Sequence, residues 1–192
     1  MKPIIRFIRV NDPERVVHSE YISATLPSYA TADSSGFDFV TTVPVTLEAN
    51  VPTLIPTGWK IEIDESTCKD KVPEAFGIEL QIRPRSGLAL KEGITVLNTP
   101  GTIDKDYRGE IGVIAYWTGY ENPDSAFTVT SKPCTTYGQS DISYKKYLRI
   151  PAGTKIAQGV LVPIYKGFIT EAEDFKEKDT ERGEGGFGST DK

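Results

Sequence analysis

Three separated stretches of the chain combine residue types that could hold an anionic ligand. Residues 84–87 join the guanidinium of Arg85, the hydroxyl of Ser86 and the N–H of Gly87, which are donors typical of a phosphate-binding loop. Residues 98–111 place acidic, aromatic and basic side chains between two apolar segments, and residues 153–158 end on the amide of Gln158. Each stretch alone has an ordinary alternative: the first is a plain turn and the second a hairpin.

A fourth candidate lies near the C-terminus, where residues 182–190 read Arg-Gly-Glu-Gly-Gly-Phe-Gly-Ser-Thr. Glycines let backbone N–H groups approach phosphates closely, Arg182 supplies a charged donor, and Phe187 supplies a ring on which a base can stack. The alternative is a flexible glycine-rich tail that binds nothing.

The side chains available for catalysis are restricted. The chain has one histidine, His18, and two cysteines, Cys68 and Cys134. This scarcity argues against a histidine-based triad and against a Cys/His zinc site, so catalysis falls to carboxylates. Two distant cysteines without a signal peptide indicate free thiols in a reducing cytoplasm.

The charge balance also excludes partner classes. Lys and Arg number 22 against 27 Asp and Glu, which gives a net charge of −5 in 192 residues. Such a balance argues against a general polyanion-binding surface, and we expect no nucleic-acid partner. Every apolar stretch is far shorter than the roughly 20 residues that span a bilayer, so we expect no membrane association and a cytoplasmic location.

The elements that must position these residues are mostly strands. Short β-branched and apolar segments separated by Pro/Gly turns predict an all-β protein, and only residues 86–92 have the composition of a short helix. Residues 171–182 are rich in charge and poor in apolar side chains, which is typical of a solvated linker. We therefore predict a core over residues 1–170 and a linker with a mobile lid over residues 171–192.

Taken together and in order, these stretches resemble the five motifs of the trimeric dUTPase family, with residues 30–39 as the first motif. The resemblance implies a jelly-roll-like (β-clip) fold, a homotrimer that exchanges its C-terminal tail, and active sites between subunits. It also implies hydrolysis of dUTP to dUMP and pyrophosphate with Mg²⁺, which keeps uracil out of DNA and supplies dUMP for dTMP synthesis.

The resemblance assigns roles to individual residues. Asp104 would activate the water that attacks the α-phosphorus, and Asp38 would hold Mg²⁺ through ordered water. The base and sugar would contact Asn98, Gly101, Ile103, Tyr107 and Phe187. The phosphates would contact Arg85, Ser86, Gly87, Gln158, Arg182, Gly188, Ser189 and Thr190.

The sequence departs from the family pattern at several positions. Lys155 stands where the family usually has Arg, which we expect to weaken a structural ion pair, and Ser35 replaces a common Ala. No Gly follows Thr190. The stretch before Gly153 is longer than the pattern requires, so residues 120–146 are interpreted as an insertion that leaves and rejoins the core at adjacent strand ends.

Two other functions remain open at this point. The dCTP deaminase family shares the fold and the triphosphate loops, although the Asp-x-Asp-Tyr-Arg-Gly sequence favours the hydrolase. The second alternative is a regulatory protein of the same fold. Phage-borne dUTPases with inserted segments can bind a repressor protein. Residues 120–146 carry four aromatic side chains among polar ones, a composition common at protein interfaces.

Overall fold

A computed structural model describes residues 2–11, 22–67, 76–134 and 143–173 of the chain. These residues form thirteen strands and one short helix, α1 (Ser86–Glu92). The strands are β1 (Ile4–Arg9), β2 (Ser28–Tyr29), β3 (Phe37–Val40), β4 (Val45–Glu48), β5 (Thr53–Pro56), β6 (Trp59–Asp64), β7 (Phe76–Arg83), β8 (Ile94–Val96), β9 (Gly101–Ile103), β10 (Gly112–Trp117), β11 (Thr128–Cys134), β12 (Ser143–Ile150) and β13 (Lys155–Tyr165).

The strands form four antiparallel sheets. The largest has the order β2-β3-β13-β7-β9, two three-stranded sheets have the orders β5-β10-β8 and β11-β12-β4, and β1 pairs with β6. The prediction of an all-β protein with one short helix is confirmed. The helix of the described residues is not long and apolar enough to cross a membrane.

The core follows from the alternation of apolar and polar residues along the strands. Trp59, Ile61 and Ile63 of β6 are buried, whereas Lys60 between them is exposed. A strand directs successive side chains to opposite faces, so this pattern buries one face of β6. Edge-to-face contacts join Phe7, Phe37, Phe39 and Trp59 where β1, β3 and β6 meet, with ring centroids 5.6–6.2 Å apart.

Helix α1 begins directly after the extended residue Arg85 and ends at Gly93. Gly93 has φ 66°, and its N–H bonds the carbonyl of Leu88, the buried residue of the helix. A left-handed C-terminal position of this kind favours glycine, which explains why the helix stops there. The short helix therefore fixes the positions of Ser86 and Gly87, its first two residues.

A hairpin over residues 98–111 is confirmed. Its flanking strands β8 and β10 pair antiparallel, with Val96 opposite Ala115 and Ile94 opposite Trp117. Between them, strand β9 pairs with β7, with Ile103 opposite Leu80 and Gly101 opposite Ile82. This segment therefore crosses from one sheet to another and back.

Residues 120–146 contain β11 and the first half of β12. The chain leaves the core at Trp117, whose carbonyl accepts a 2.8 Å hydrogen bond from Asn50 N. It returns at Lys146, whose carbonyl accepts a 2.9 Å bond from Ala49 N. The predicted adjacency of the two junctions is confirmed, since both lie at the end of β4. Beyond that point Leu148 of β12 faces Leu47 of β4, and both are buried.

Candidate active site

The first group of candidate residues lies at one end of the five-stranded sheet. Asp38 of β3, Gln158 of β13 and Arg83 of β7 occupy one row, because Gln158 is opposite Asp38 on one side and Arg83 on the other. Directly opposed residues of antiparallel strands point to the same face. Arg85 lies two residues beyond Arg83, outside the strand pairing, and its guanidinium reaches the Asp38 carboxylate.

The Asp38 carboxylate lies between two cations. Its Oδ2 is 2.8 Å from Lys155 Nζ and its Oδ1 is 3.1 Å from Arg85 Nε, and the side chain is only 9% exposed. A guanidinium N–H of Arg85 also donates to the Lys155 carbonyl at 3.2 Å. Lys155, which stands where the family usually has the longer Arg, therefore still forms the ion pair with Asp38. Two cations around one carboxylate leave a local positive charge in an acidic chain, which suits a phosphate.

The geometry of this pair leaves two buried polar atoms without a hydrogen bond. Asp38 Oδ1 and Arg85 Nε are close enough for an ion pair, but their orientation satisfies no hydrogen-bond criterion. Buried polar atoms usually have partners, so these two indicate a site that a ligand completes.

Ser86 and Gly87 lie at the exposed start of α1. A Cβ built on Gly87 would meet no atom of the described chain within 4 Å. Packing within the chain therefore gives no reason for glycine at this position, and the open space fits the predicted approach of a phosphate.

The second group of candidates lies on residues 98–107. A Cβ on Gly101 would lie 3.0 Å from the side-chain nitrogen of Asn98, so the Asn98 amide rests directly on the backbone of Gly101. Asn98 is exposed, whereas Ile103 packs partly against the core. Contact with Gly101 thus fixes the Asn98 amide, which remains accessible to a nucleobase.

Asp104 begins a turn that is closed by a 3.1 Å bond from Tyr107 N to its carbonyl. The Tyr107 ring folds over Gly109, where a Cβ would collide with the ring, and its hydroxyl donates to the Glu110 carbonyl at 3.0 Å. The Glu110 carboxylate accepts a 2.7 Å bond from Gly58 N. Tyr107 is therefore held by its own turn.

One chain does not bring the two groups together. Along the strands, the register places Asp104 opposite Glu79 of β7, four residues from Arg83, which lies in the same row as Asp38. Across the sheet, three strand spacings separate β9 from β3. At about 3.3 Å per residue and 4.8 Å per strand, the backbones of Asp104 and Asp38 are roughly 20 Å apart. A single nucleotide phosphate cannot contact both in the same copy.

Comparison with known proteins identifies the family. A family model described as dUTPase matches residues 23–130. The chain is 40% identical over 181 residues to the deoxyuridine 5'-triphosphate nucleotidohydrolase of Beijerinckia indica, covering 92% of this chain and 88% of that protein. It is 41% identical over 169 residues to the enzyme of the same name from Clostridium tetani, covering 88% and 90%. The chain belongs to the dUTPase family.

Solved structures show the same fold. The dUTPase of Staphylococcus bacteriophage 80alpha with dUpNHpp has a TM-score of 0.65 and 22% identity, with 97% of each chain covered. A mutant dUTPase from phage phi11 of S. aureus, described with a structural Mg(II) ion, has a TM-score of 0.60 and 20% identity, covering 91% of this chain and 99% of that one. The predicted dUTPase fold is confirmed.

The remaining site predictions for this dUTPase lie outside the described residues. They are the tail residues Arg182, Phe187, Gly188, Ser189 and Thr190, and the domain boundary near residue 170 also stays a prediction. Strand β13 ends at Tyr165, and residues 166–173 after it are exposed.

Proposed function

We propose that this dUTPase, which hydrolyses dUTP to dUMP and pyrophosphate, builds each active site from different copies of the chain. One copy supplies Asp38, Arg85 and Gln158, and another supplies Asn98 and Asp104. The observation that carries the proposal is the distance of roughly 20 Å between Asp38 and Asp104 within one copy. We infer that the assembly is the homotrimer typical of the family.

An apolar depression on the surface supports association between copies. It has a volume of about 700 Å³ and is lined mainly by apolar side chains of β1, β3, β7 and β13, among them Ile5, Phe7, Phe37, Ile78 and Leu161. An exposed apolar depression rimmed by polar residues is one of the features that mark a surface for contact with a partner.

In the proposed reaction, Asp104 is the general base. Its carboxylate takes a proton from a water molecule while the water oxygen bonds the α-phosphorus. The bond from that phosphorus to the bridging oxygen breaks, and pyrophosphate leaves. Asp104 is exposed at the surface of its own copy, so a substrate held mainly by another copy can reach it. A carboxylate base suits a chain with one histidine.

The phosphate-binding side is assigned to Arg85, Ser86, Gly87 and Gln158. The positive charge of Arg85 and Lys155 around Asp38 attracts the triphosphate, and the fork of Arg85 can donate to two oxygens. We propose that the tail adds Arg182, Gly188, Ser189 and Thr190 over the phosphates and stacks Phe187 on the uracil. Closure of the tail would exclude bulk water during the attack.

The residues present fit Mg²⁺. Asp38 Oδ1 is a buried carboxylate oxygen without a hydrogen bond, and Mg²⁺ prefers oxygen ligands and retains several waters. The described residues contain no cluster of three metal-ligating side chains, so Asp38 would hold the ion through water while the triphosphate supplies other oxygens. The bound ion would neutralise triphosphate charge.

Asn98 and Tyr107 are assigned to recognition of the uracil and the deoxyribose. The Asn98 amide and the backbone of Gly101 present hydrogen-bonding groups to the uracil edge, with Ile103 beside them. The Tyr107 ring would pack against the deoxyribose where a ribose 2′-hydroxyl would collide. A site whose polar groups match one base leaves them unpaired with another, which explains rejection of cytosine.

We expect Gly109→Ala to weaken discrimination against UTP, because the new methyl group displaces the Tyr107 ring. The ratio of kcat/KM for dUTP to that for UTP should fall by about tenfold or more. The matched control is Gly167→Ala, whose Cβ would meet no described atom within 4 Å. An unchanged ratio in Gly109→Ala would remove Tyr107 from sugar recognition.

The shared site is tested by mixing two inactive variants, Asp104→Asn and Arg85→Ala. When the two are unfolded together and refolded at equal amounts, about one quarter of the sites should combine both intact residues and recover activity. Each variant refolded alone is the control. Sites built within one copy would show no recovery, because every copy carries one defect.

A protein partner on residues 120–146 and a cytoplasmic location stay predictions. The partner proposal is supported by the position of β11 at the edge of its sheet and by Tyr144, which is 65% exposed. The dCTP deaminase alternative is not favoured, since the named relatives are nucleotidohydrolases of deoxyuridine triphosphate.

A further inference from the structure

Glu65 connects the turn that carries Asp104 to strand β7. Its side chain is 14% exposed, and its two carboxylate oxygens have different partners. Oε1 accepts a 3.0 Å hydrogen bond from Ile78 N, at the start of β7, and Oε2 lies 2.5 Å from Lys105 Nζ. Lys105 directly follows Asp104, so the carboxylate bridges a sheet strand and the neighbour of the proposed base.

The position of Glu65 is itself well defined. It follows the last residue of β6, Asp64, whose Oδ1 accepts a 2.9 Å bond from Ser66 N. The hydroxyl and N–H of Ser66, together with Arg6, lower the pKa of Asp64 to about 2. The Thr67 hydroxyl donates to the Lys2 carbonyl at 2.7 Å. These bonds brace the short turn from which Glu65 extends.

The turn after β9 is closed mainly by contacts with itself. The Arg108 guanidinium donates to the carbonyls of Lys105 at 2.8 Å and Tyr107 at 3.1 Å. Such bonds fix the shape of the turn, and the pairing of Ile103 with Leu80 fixes its start relative to β7. The Glu65–Lys105 pair adds a contact with β7 on the other side of Asp104. Glu65, Asp104 and Lys105 line one depression of about 390 Å³.

We propose that Glu65 is a positioning residue for Asp104. The inference rests on the proposed function, in which Asp104 is the base. A base must lie within hydrogen-bond reach of the attacking water, and displacement by 1 Å can cost as much as about 100-fold in rate. Glu65 acts through Lys105 and touches no substrate, so its removal should change turnover rather than binding.

The test compares Glu65→Gln, Lys105→Gln and the double variant. Each single variant should lower kcat about tenfold while the Kd for dUpNHpp, a non-hydrolysable dUTP analogue, stays within about twofold. The double variant should be no slower than either single one, because both remove the same contact. Lys105→Arg retains the charge and should restore most of the turnover.

The matched control is Lys145→Gln. It breaks an ion pair of 2.6 Å between Lys145 Nζ and Glu48, which joins β12 to β4 and does not involve the turn from which Glu65 extends. Its kcat should equal that of the wild type. Lys105 is about half exposed, so Lys105→Gln tests the proposal even where Glu65→Gln folds poorly.

Wild-type kcat in Lys105→Gln, or losses that add in the double variant, would overturn the proposal. A rise in the Kd for dUpNHpp equal to the loss in kcat would overturn it as well, because it would indicate a general distortion of the site. High turnover in Asp104→Asn would instead refute the assignment of the base. An inactive Asp104→Asn beside an unaffected Glu65→Gln would refute only the role of Glu65.

Discussion

The Asp104→Asn variant is expected to bind dUTP as tightly as the wild-type protein and to lose roughly 100-fold or more in kcat. The amide can still position a water molecule, but it cannot take a proton from it, and general base catalysis contributes at least about that factor. The Asp104 side chain is exposed, so the substitution should not disturb the core. Single-turnover kinetics and the Kd for dUpNHpp separate the two effects.

Asp124→Asn is a suitable control for the loss of one negative charge. Asp124 is an exposed carboxylate within residues 120–146, remote from both groups of site residues in the sequence. Its kcat should match that of the wild type. If Asp104→Asn kept more than about a tenth of the wild-type rate, Asp104 could not be the general base.

Removal of residues 182–192 is expected to leave a folded trimer with a turnover reduced by roughly 100-fold. The buried apolar side chains of the described residues end at Ala157 on β13, so we expect the core to fold without residues 182–192. The proposed tail supplies Arg182 and Phe187 to the ligand and excludes water from the reacting phosphate. Light scattering, thermal unfolding and kcat are the three measurements.

The matched truncation removes only Asp191 and Lys192, which follow the last residue of the proposed lid, Thr190. It should retain the wild-type rate. A chain shortened at residue 182 that no longer folds would assign the tail to the structure of the trimer, and one that keeps full activity would remove it from the site.

Much of the fold could be predicted from the sequence, because the relevant signals are local. Strand β7 alternates apolar and polar residues, and α1 combines good helix formers with a terminal glycine, so local patterns predict both. Strand β12 has no such pattern, because its first half carries Ser143, Tyr144, Lys145 and Lys146 and pairs only with β11. The three residues of β9 are too few for a pattern, and only their pairing with β7 makes them a strand.

The candidate site shows the same division. The types of the site residues and their order along the chain indicated recognition of phosphates and a nucleobase, because short sequence motifs carry the residues that perform it. The distance between Asp38 and Asp104 could not be predicted, since it depends on the order of strands in the sheet. The Glu65–Lys105 contact was missed for a similar reason: forty positions separate the two residues in the sequence.

The junction at the end of β4 has a consequence for how this chain can change in length. The carbonyls of Trp117 and Lys146 bond adjacent amides, those of Asn50 and Ala49, so the chain between them begins and ends at nearly one point. Closing a loop between neighbouring points costs little more when the loop grows, roughly 0.6 kcal/mol for each doubling. The outer part of residues 120–146 can therefore be lengthened, exchanged or tagged, in evolution or by design, while the core strands keep their register.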